Sequence, residues 1–432
     1  MRTLRSTATA VDEVVASPYG ERFVRTETSV PHVDLALLAD ALADEPMVYW
    51  APPGAPATLG LGATLRLSGR GDARFSMLRD AASTLPAWAE LYCGFSFSPG
   101  SRAPFGDALA LLPRFLLRDR GDETVLSTVL DRGRPDDAAE LHAQLAKLGD
   151  AMHRIGLPRK ASRFATDGPH EAAQFQALVE RARDAIRGGA FDKVVVHRQT
   201  RLPASTQTPG GALAFLRESQ PSSTGYAFRL DGTTFLGATP ERLVRRTGNE
   251  LRADVLAGSL PRDAADRGPS ALLESAKDRG EHELTRAAIA AVLQPLCSRY
   301  VEHGPRVQTL PHLYHLHTTV DGELAAPTHV LDLVAALHPT PAVGGSPRRE
   351  ALAFIAAAEP EGRGWYAAPI GWFKPDGDGD FSVALRCALV ERDAVTLYAG
   401  AGIVAGSEPA RELAETASKR RAIANALGLE FL

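Results

Sequence analysis

The tightest constraint on the fold comes from the C-terminal stretch YAGAGIVAGSEPARELAETASK. Apolar residues alternate there with Gly400 and Gly402, which is typical of a strand whose backbone approaches a group that a side chain would block. We expect that group to be a ligand. The helical run that follows places Glu412, Glu415 and Lys419 at i, i+3 and i+7, on one face. This face predicts either an ordinary solvent-exposed ion pair or a site that holds a cation and an anion together.

A second helical run, SAKDRGEHELTRAAIAAVL, also begins with an acidic pair. Asp278 and Glu281 lie at i and i+3 and therefore share a face. Together with the C-terminal pair they offer oxygen donors without cysteine or paired histidine, which suits a hard cation such as Mg²⁺. His282 and Glu283 begin a pattern similar to the zinc-protease motif HExxH, but Arg286 stands where the second histidine would be. Zinc-protease chemistry is therefore excluded.

Composition excludes several classes of partner. The chain has 432 residues, a net charge of −4 and a sequence pI near 6.3, so neither a nucleic acid nor an anionic membrane surface is indicated. Cys93, Cys297 and Cys387 have no metal-type spacing and predict a reducing compartment without disulfides. The first fifteen residues lack the apolar run of a signal peptide or spanning helix. We therefore expect a cytoplasmic protein with a small-molecule partner.

The first 170 residues predict antiparallel strands with a few helices. Predicted strands cover residues 46–50, 63–67, 91–97, 115–118 and 124–129. Predicted helices cover residues 33–44, 106–112 and 136–155. Residues 156–170 are rich in Gly, Pro, Ser and basic residues and predict a surface connection.

The remainder mixes strands and helices without regular βαβ alternation, which favours an antiparallel-rich α+β architecture. Lys193 begins a short β-branched strand, and Asp231-Gly232 predicts a tight hairpin between residues 226–230 and 233–237. Arg386 lies inside the apolar run of residues 381–390. Because a buried guanidinium without an anion is costly, we expect Arg386 to meet a carboxylate or phosphate.

Ten blocks in order carry a resemblance to a known family: KVVVHR, FLGATPERL, LAGSLPR, SAKDRGEHE, HLHTT, LHPTPAVGG, RGWYAAPIGW, VALRCA, YAGAGIV and ELAETASK. This series resembles the chorismate-utilising enzymes, which include anthranilate synthase component I, and is most similar to the isochorismate synthases among them. The resemblance covers residues 171–432, the expected chorismate-binding catalytic region. Residues 1–160 match loosely, through YWAPPG and GFSF, and we expect both parts to form one integrated domain.

The resemblance implies a role for each conspicuous side chain. Mg²⁺ would bridge the carboxylates of two helices and the ring carboxylate of chorismate, with Glu281 and Glu415 as ligands and Asp278 and Glu412 in support. The remaining predicted substrate contacts fall in three groups: Lys419, Gly400, Gly402 and Gly258 at the ring carboxylate; Arg386 and Tyr366 at the enolpyruvyl carboxylate; and His315 beside the ring. A guanidinium suits a carboxylate because it binds bidentately.

The implied reaction is an allylic substitution. Lys193, with its pKa lowered by burial beside other cations and the metal, would be the general base that activates water to attack ring C2. Glu241, on the opposite side of the ring, would be the general acid that protonates the departing C4 hydroxyl. From the sequence alone, Lys193 also fits a strand-end surface lysine, and Glu241 a helix-start residue.

Ala342 separates the branches of the family, since salicylate and anthranilate synthases usually carry threonine there. Ala257 leaves no lysine nucleophile in the LAGS segment, so amide-nitrogen chemistry and a glutaminase subunit are not expected. The main alternative is a salicylate synthase, which forms isochorismate and then eliminates pyruvate. A second alternative is a catalytically silent chorismate-binding subunit. We expect a monomer.

Overall fold

The computed structural model describes residues 22–100, 103–153, 163–165, 169–205, 207–262, 268–310 and 313–431. The first fifteen residues, on which the expected absence of a signal peptide rested, lie outside these ranges. So does most of the predicted connection at residues 156–170. Within the described ranges, no helix has the length and apolar character needed to span a membrane.

Strands account for most of the ordered elements. They are β1 Phe23–Pro31, β2 Met47–Ala51, β3 Thr58–Gly69, β4 Leu91–Phe95, β5 Ala108–Asp119, β6 Glu123–Asp131, β7 Arg163–Ala165, β8 Lys193–Pro203, β9 Thr224–Leu230, β10 Thr233–Thr239, β11 Arg242–Thr247, β12 Glu250–Pro261, β13 Cys297–Thr309, β14 Leu313–Leu324, β15 Gly345–Ser346, β16 Pro369–Phe373, β17 Gly379–Val383, β18 Cys387–Val390, β19 Ala394–Ile403 and β20 Leu429–Phe431.

Helices flank this sheet system. They are α1 Leu35–Leu38, α2 Arg74–Ala82, α3 Asp137–Met152, α4 Pro169–Arg187, α5 Pro209–Ser219, α6 Ser270–Glu274, α7 Ala276–Leu293, α8 Val330–Leu337, α9 Arg348–Ala358 and α10 Pro409–Ala426.

Among the described residues, eighteen strands form one hydrogen-bonded network in which the pairings are antiparallel. One arm runs β13, β14, β12, β11, β17, β16, β4 and β5. The other runs from β5 through β3, β2, β9, β10, β18, β19 and β8 to β15, while β6 and β1 branch from β5. Because the ends of β12, β8 and β19 face helices α7 and α10, distant parts of the chain meet there. The α+β, antiparallel-rich prediction is confirmed.

Two predicted hairpins are present. Leu230 pairs with Thr233 across Asp231 and Gly232, and both turn residues have positive φ, which suits the primed turns that join antiparallel strands. The predicted pair at residues 115–118 and 124–129 forms the β5–β6 hairpin, in which Phe115 faces Thr128. At both hairpins, the turn residues and the apolar pattern of the flanking segments predict the same structure, which is the one observed.

Two local predictions were wrong. Residues 106–112 lie largely in β5 and are not helical, because this segment is buried on both faces and its continuous apolar run gives no period. The apolar run of residues 381–390 is not one strand: β17 ends at Val383 and β18 begins at Cys387. Arg386 stands in the break with φ of +52°, a left-handed conformation that strand pairing does not accept.

Candidate active site

Strands β8 and β19 form the floor of the site. Their register sets Gly402 opposite Val195 and Gly400 opposite His197. A Cβ on Gly402 would lie 3.1 Å from Lys193 Cε, and one on Gly400 would lie 2.8 Å from Tyr366 Oη. These glycines therefore make room for two side chains of the site itself. The sequence indicated the close approach but assigned it to a ligand.

Helix α7 packs closely on β12. Ser275 caps the helix, its hydroxyl accepting from the Asp278 amide at 3.2 Å. Gly258 has φ of +81°, and a Cβ there would lie 2.9 Å from the Asp278 carbonyl oxygen. His282 fixes the contact further, with Nε2 2.8 Å from Thr318 Oγ1 and Nδ1 3.2 Å from the Ala257 carbonyl. The histidine of the HExxH-like segment is therefore a buried structural residue.

One cavity brings together nearly all of the predicted site residues. Its lining includes Lys193, Glu241, Gly258, Asp278, Glu281, His315, Ala342, Tyr366, Arg386, Gly400, Gly402, Glu415 and Lys419. Glu412 is the predicted residue that is absent from the lining. It is buried beside the cavity, where Lys277 contacts it. The structure therefore brings these predicted residues together around one cavity, while their roles stay predictions.

Lysines lie close to the carboxylates of helices α7 and α10. Lys419 Nζ lies 2.6 Å from Glu415 and donates to the Gly400 carbonyl at 2.9 Å. Lys193 Nζ lies 3.6 Å from Glu281, with only 2% of the lysine side chain exposed. Lys193 is therefore a buried residue of the cavity and not a surface lysine.

Lys277 links the two helices. Its ammonium lies 4.0 Å from Glu281 on α7 and 3.5 Å from Glu412 on α10. Burial and the negative charge of Glu415 raise the pKa of Glu412. Although burial opposes it, Lys419 lowers the pKa of Glu415. The carboxylates of Glu281, Glu412 and Glu415 therefore lie near one another and near the Lys277 ammonium.

Glu241 lies between β10 and β11 and does not begin a helix. It is 5% exposed. Burial, followed by the negative charge of Asp254, raises its pKa to about 8, although Lys193, Arg386 and Lys419 oppose the shift. The side chain is therefore mainly protonated at neutral pH and can donate a proton into the cavity.

Arg386 points at the cavity without a carboxylate to neutralise it. Its Nη2 lies 3.4 Å from His315 Nε2, and the ion pairs found in the described ranges do not include it. Burial lowers the pKa of Arg386. Burial also holds the pKa of His315 well below its usual range, and the positive charges of Arg386 and Lys419 add to this shift. A neutral His315 accepts from the guanidinium. The remaining donors of Arg386 suit an anionic ligand, and the carboxylate or phosphate expected from the sequence stays a prediction.

The sequence reasoning missed three polar residues near the site. Lys277 precedes Glu281 by four positions on α7, so helical spacing could have identified it as an ion-pair partner. Asp254 and His317 lie on β12 and β14, where no short motif marks them. Asp254 and His317 come together only through the pairing of β12 with β14, which are far apart in the sequence.

The chorismate-binding enzyme family matches residues 10–428. The chain belongs to the chorismate-binding enzymes. The match to the family extends through the first 160 residues, where the sequence blocks agree only loosely.

Two curated relatives and a solved structure are also similar to this chorismate-binding enzyme. The salicylate biosynthesis isochorismate synthase of Pseudomonas aeruginosa is 37% identical over 88% of this chain and 85% of the relative. The isochorismate synthase DhbC of Bacillus subtilis is 38% identical over 61% of this chain and 69% of the relative. The structure of MenF, the menaquinone-specific isochorismate synthase from Escherichia coli, superposes with a TM-score of 0.79 at 28% identity, covering 93% and 94% of the two chains.

Proposed function

We propose that this chorismate-binding enzyme is an isochorismate synthase, an isomerase that converts chorismate to isochorismate. The observation that carries the proposal is the placement of Glu241, protonated at neutral pH, in the same buried cavity as the Lys193 amine. A substitution that adds water at one ring carbon and expels hydroxide from another needs one base and one acid. The isochorismate synthases among the relatives support this choice of reaction.

Proton transfer is divided between these two groups. In its neutral form, Lys193 takes a proton from the water that attacks C2, and the new C2–O bond forms. The ring electron pairs shift as the C4–O bond breaks, and Glu241 gives its proton to the departing hydroxide, which leaves as water. At the end of the cycle Lys193 carries the extra proton and Glu241 is ionised, so the overall charge is unchanged.

Cationic side chains hold the substrate. Chorismate carries two carboxylates, and the cavity lining includes two cationic side chains, Arg386 from the break between β17 and β18 and Lys419 from α10. Arg386, with Tyr366 beside it, is proposed to take the enolpyruvyl carboxylate, because a guanidinium without an ion-pair partner gains most from a bidentate anion. Lys419 and the backbone near Gly258, Gly400 and Gly402 are proposed to take the ring carboxylate. His315, held neutral, packs against the ring.

Mg²⁺ is part of the proposal. In the described part of the chain no three His, Cys, Asp or Glu side chains are gathered closely enough to hold a metal as they stand. The donors nevertheless fit this ion, because all are oxygens and the Lys277 ammonium already bridges carboxylates of both helices. Glu281 and Glu415 would hold the ion, supported by Glu412 and Asp278. It would supply positive charge for the ring carboxylate.

The product is proposed to be isochorismate and not salicylate. Ala342, with Val343, lines the cavity with small apolar groups. Alanine supplies no hydroxyl that could hold isochorismate in a pose for pyruvate elimination. Ala257 lies in the same wall and offers no nucleophilic amine, so neither ammonia nor a glutaminase subunit is required. A salicylate synthase remains the alternative because it shares the first step.

Product analysis tests the proposal. The purified chain is supplied with chorismate and Mg²⁺, and isochorismate, salicylate, anthranilate and pyruvate are quantified by chromatography. We expect isochorismate without stoichiometric pyruvate, and we expect Lys193→Ala to lower kcat by about 10²–10⁴-fold. The exposed Lys147→Ala serves as the control and should match the unmodified enzyme. Salicylate as the main product, or full turnover in Lys193→Ala, would overturn the assignment.

A further inference from the structure

A buried ion pair adjoins the substrate cavity. Arg363 Nε lies 2.7 Å from Glu359 Oε2, and Arg363 Nη2 lies 3.0 Å from Glu359 Oε1, so the contact is bidentate. The two side chains are 1% and 3% exposed, and the guanidinium lies over the Phe97 ring, 4.2 Å from its centre. A buried pair of this kind is often no more stabilising than apolar residues of the same volume. The other groups that the pair contacts therefore indicate its role.

Strand β8 loses its partner on one side just beside the cavity. Strand β15 has only two residues, and its pairing with β8 ends at Val194. The Val195 amide still donates to the Gly344 carbonyl at 2.8 Å. Beyond that point the partner chain turns away, since the amides of Val343 and Gly344 both donate to the Thr340 carbonyl, at 3.1 and 2.8 Å. Neither amide can therefore donate to the Val195 carbonyl.

The ion pair takes the place of the missing strand. Arg363 donates from Nη2 to the Val195 carbonyl at 2.6 Å and from Nη1 to the Val343 carbonyl at 2.7 Å. Glu359 accepts from the His197 amide at 3.0 Å. In an antiparallel strand, the carbonyl of one residue and the amide two residues later point to the same neighbour. One guanidinium therefore ties β8 to the segment at Val343, and one carboxylate continues the edge.

Both tied segments line the substrate cavity. Val195 and Lys193 are alternate residues of β8 and share a face, and both line the cavity together with Ala342 and Val343. Lys193 is the proposed base, and Ala342 is the residue proposed to select the product. Their relative position depends on the short pairing of β8 with β15 and on the Arg363 bridge.

We propose that Arg363 is a positioning residue that holds the wall at residues 342–343 against strand β8 and so keeps the Lys193 amine aligned with the substrate. The inference rests on the proposed function. Arg363 acts through two backbone carbonyls, and Glu359 holds the guanidinium in place. A displacement of reacting groups of about 1 Å can slow a reaction by about 10²-fold. The charged side chains proposed to bind the substrate do not depend on this bridge, so its loss should lower kcat more than it raises KM.

The test separates positioning from stability. Arg363→Met leaves Glu359 buried without its partner, so this variant should unfold at a much lower urea concentration than the unmodified enzyme. The double variant Glu359→Gln/Arg363→Met removes both charges together and should regain most of that stability. It still lacks the bridge between the two carbonyls. Its kcat per mole of folded protein should therefore stay lower than that of the unmodified enzyme by about tenfold or more, with KM changed by less than about threefold.

A second measurement needs no substrate. The Val195 amide donates to Gly344, so release of the wall should raise the hydrogen exchange rate of this amide in the double variant by about tenfold or more. Peptides that cover β19 should exchange as in the unmodified enzyme. Arg363→Lys provides a milder variant, because an ammonium keeps the charge beside Glu359 but lacks the planar fork that reaches the carboxylate and both carbonyls. We expect its kcat to lie between those of the unmodified enzyme and the double variant.

Arg114→Met combined with Asp137→Asn is the matched control. It removes another buried bidentate pair that lies outside the site, and it should change neither kcat nor exchange at Val195. A kcat that recovers together with stability in the double variant, an unchanged kcat in Arg363→Lys, or unchanged exchange at Val195 would overturn the positioning role. Absence of isochorismate from the unmodified enzyme would instead overturn the proposed function. Exchange at Val195 would still report on the bridge, so the two failures are distinguishable.

Discussion

Replacing Glu241 by glutamine should stabilise the protein at high pH while removing the proposed proton donor. The pKa of this carboxyl is 4.5 ordinarily and about 8 in the folded chain. Below about pH 4.5 both states are protonated and the group has no pH-dependent effect. Between about pH 4.5 and about 8 the unfolded chain releases the proton while the folded chain retains it, so stability falls as pH rises. At about 1.4 kcal/mol per pH unit the full loss is roughly 5 kcal/mol.

Glutamine cannot ionise, so the variant escapes this loss. The free energy of unfolding of Glu241→Gln minus that of the unmodified chain should therefore grow by roughly 3 to 4 kcal/mol between about pH 5 and about pH 8. Urea unfolding of the metal-free protein, followed by tryptophan fluorescence at several pH values, measures this difference. Subtracting the two proteins cancels the titration of all other groups that the substitution leaves alone. Over the same pH range, the kcat of Glu241→Gln should be about 10²–10⁴-fold lower than that of the unmodified chain.

Asp137→Asn provides the control. This carboxylate is 1% exposed and lies 2.6 Å from Arg114, outside the site. Although burial opposes it, Arg114 lowers the pKa of Asp137, so the group is ionised in both states above about pH 5 and its effect should not vary with pH. A pH-independent difference for Glu241→Gln as well would refute the reasoning, because Glu241 would then be ionised at neutral pH and could not serve as the acid.

Four further outcomes are expected. Ala342→Thr should release less isochorismate and form some salicylate and pyruvate, measurable by chromatography, although one contact discriminates by only about 1–3 kcal/mol. Removal of Mg²⁺ with EDTA should abolish turnover. Lys277→Ala should tighten Mg²⁺ binding, measured by calorimetry, by up to about fivefold, because a partly exposed ion pair of about 1 kcal/mol or less no longer competes with the metal for the carboxylates. Unchanged affinity would show that Lys277 is not part of the metal site. Gly402→Ala should lower kcat more than KM, since the new Cβ would lie 3.1 Å from Lys193 Cε, and a crystal structure of the variant would show whether Lys193 has moved.

The sequence predicted best where local chemistry and three-dimensional structure agree. Asp231-Gly232 required a tight turn, and the structure has one. Helix α8 likewise begins at Val330 and ends at Leu337 because local residues delimit it: His329 caps its start, and the His338-Pro339 pair ends it. Segments buried on both faces gave no such signal. Residues 106–112 were therefore assigned to a helix, although their partners in β3 and β4 hold them in a strand.

The residues of the candidate site fall into the same two groups, those with a local sequence signal and those without one. Motifs and helical spacing identified residues that share a short segment, such as Asp278 with Glu281 and Glu415 with Lys419. They could not identify residue pairs that are brought into contact only by the register between strands distant in sequence. His317 reaches Asp254 because β14 pairs with β12 over more than sixty intervening residues, a relation that no local pattern encodes.

Arg386 shows how the backbone and the chemistry of the site depend on each other. An arginine inside a continuous strand would have to be neutralised within the sheet, at the cost of burying an ion pair. The structure instead interrupts the strand, and Arg386 adopts a left-handed conformation that costs about 1–3 kcal/mol. That break directs the guanidinium toward the cavity, beside a histidine that cannot neutralise it. The fold thus accepts backbone strain to keep a cation available, and an anionic substrate is the partner that would relieve its isolation.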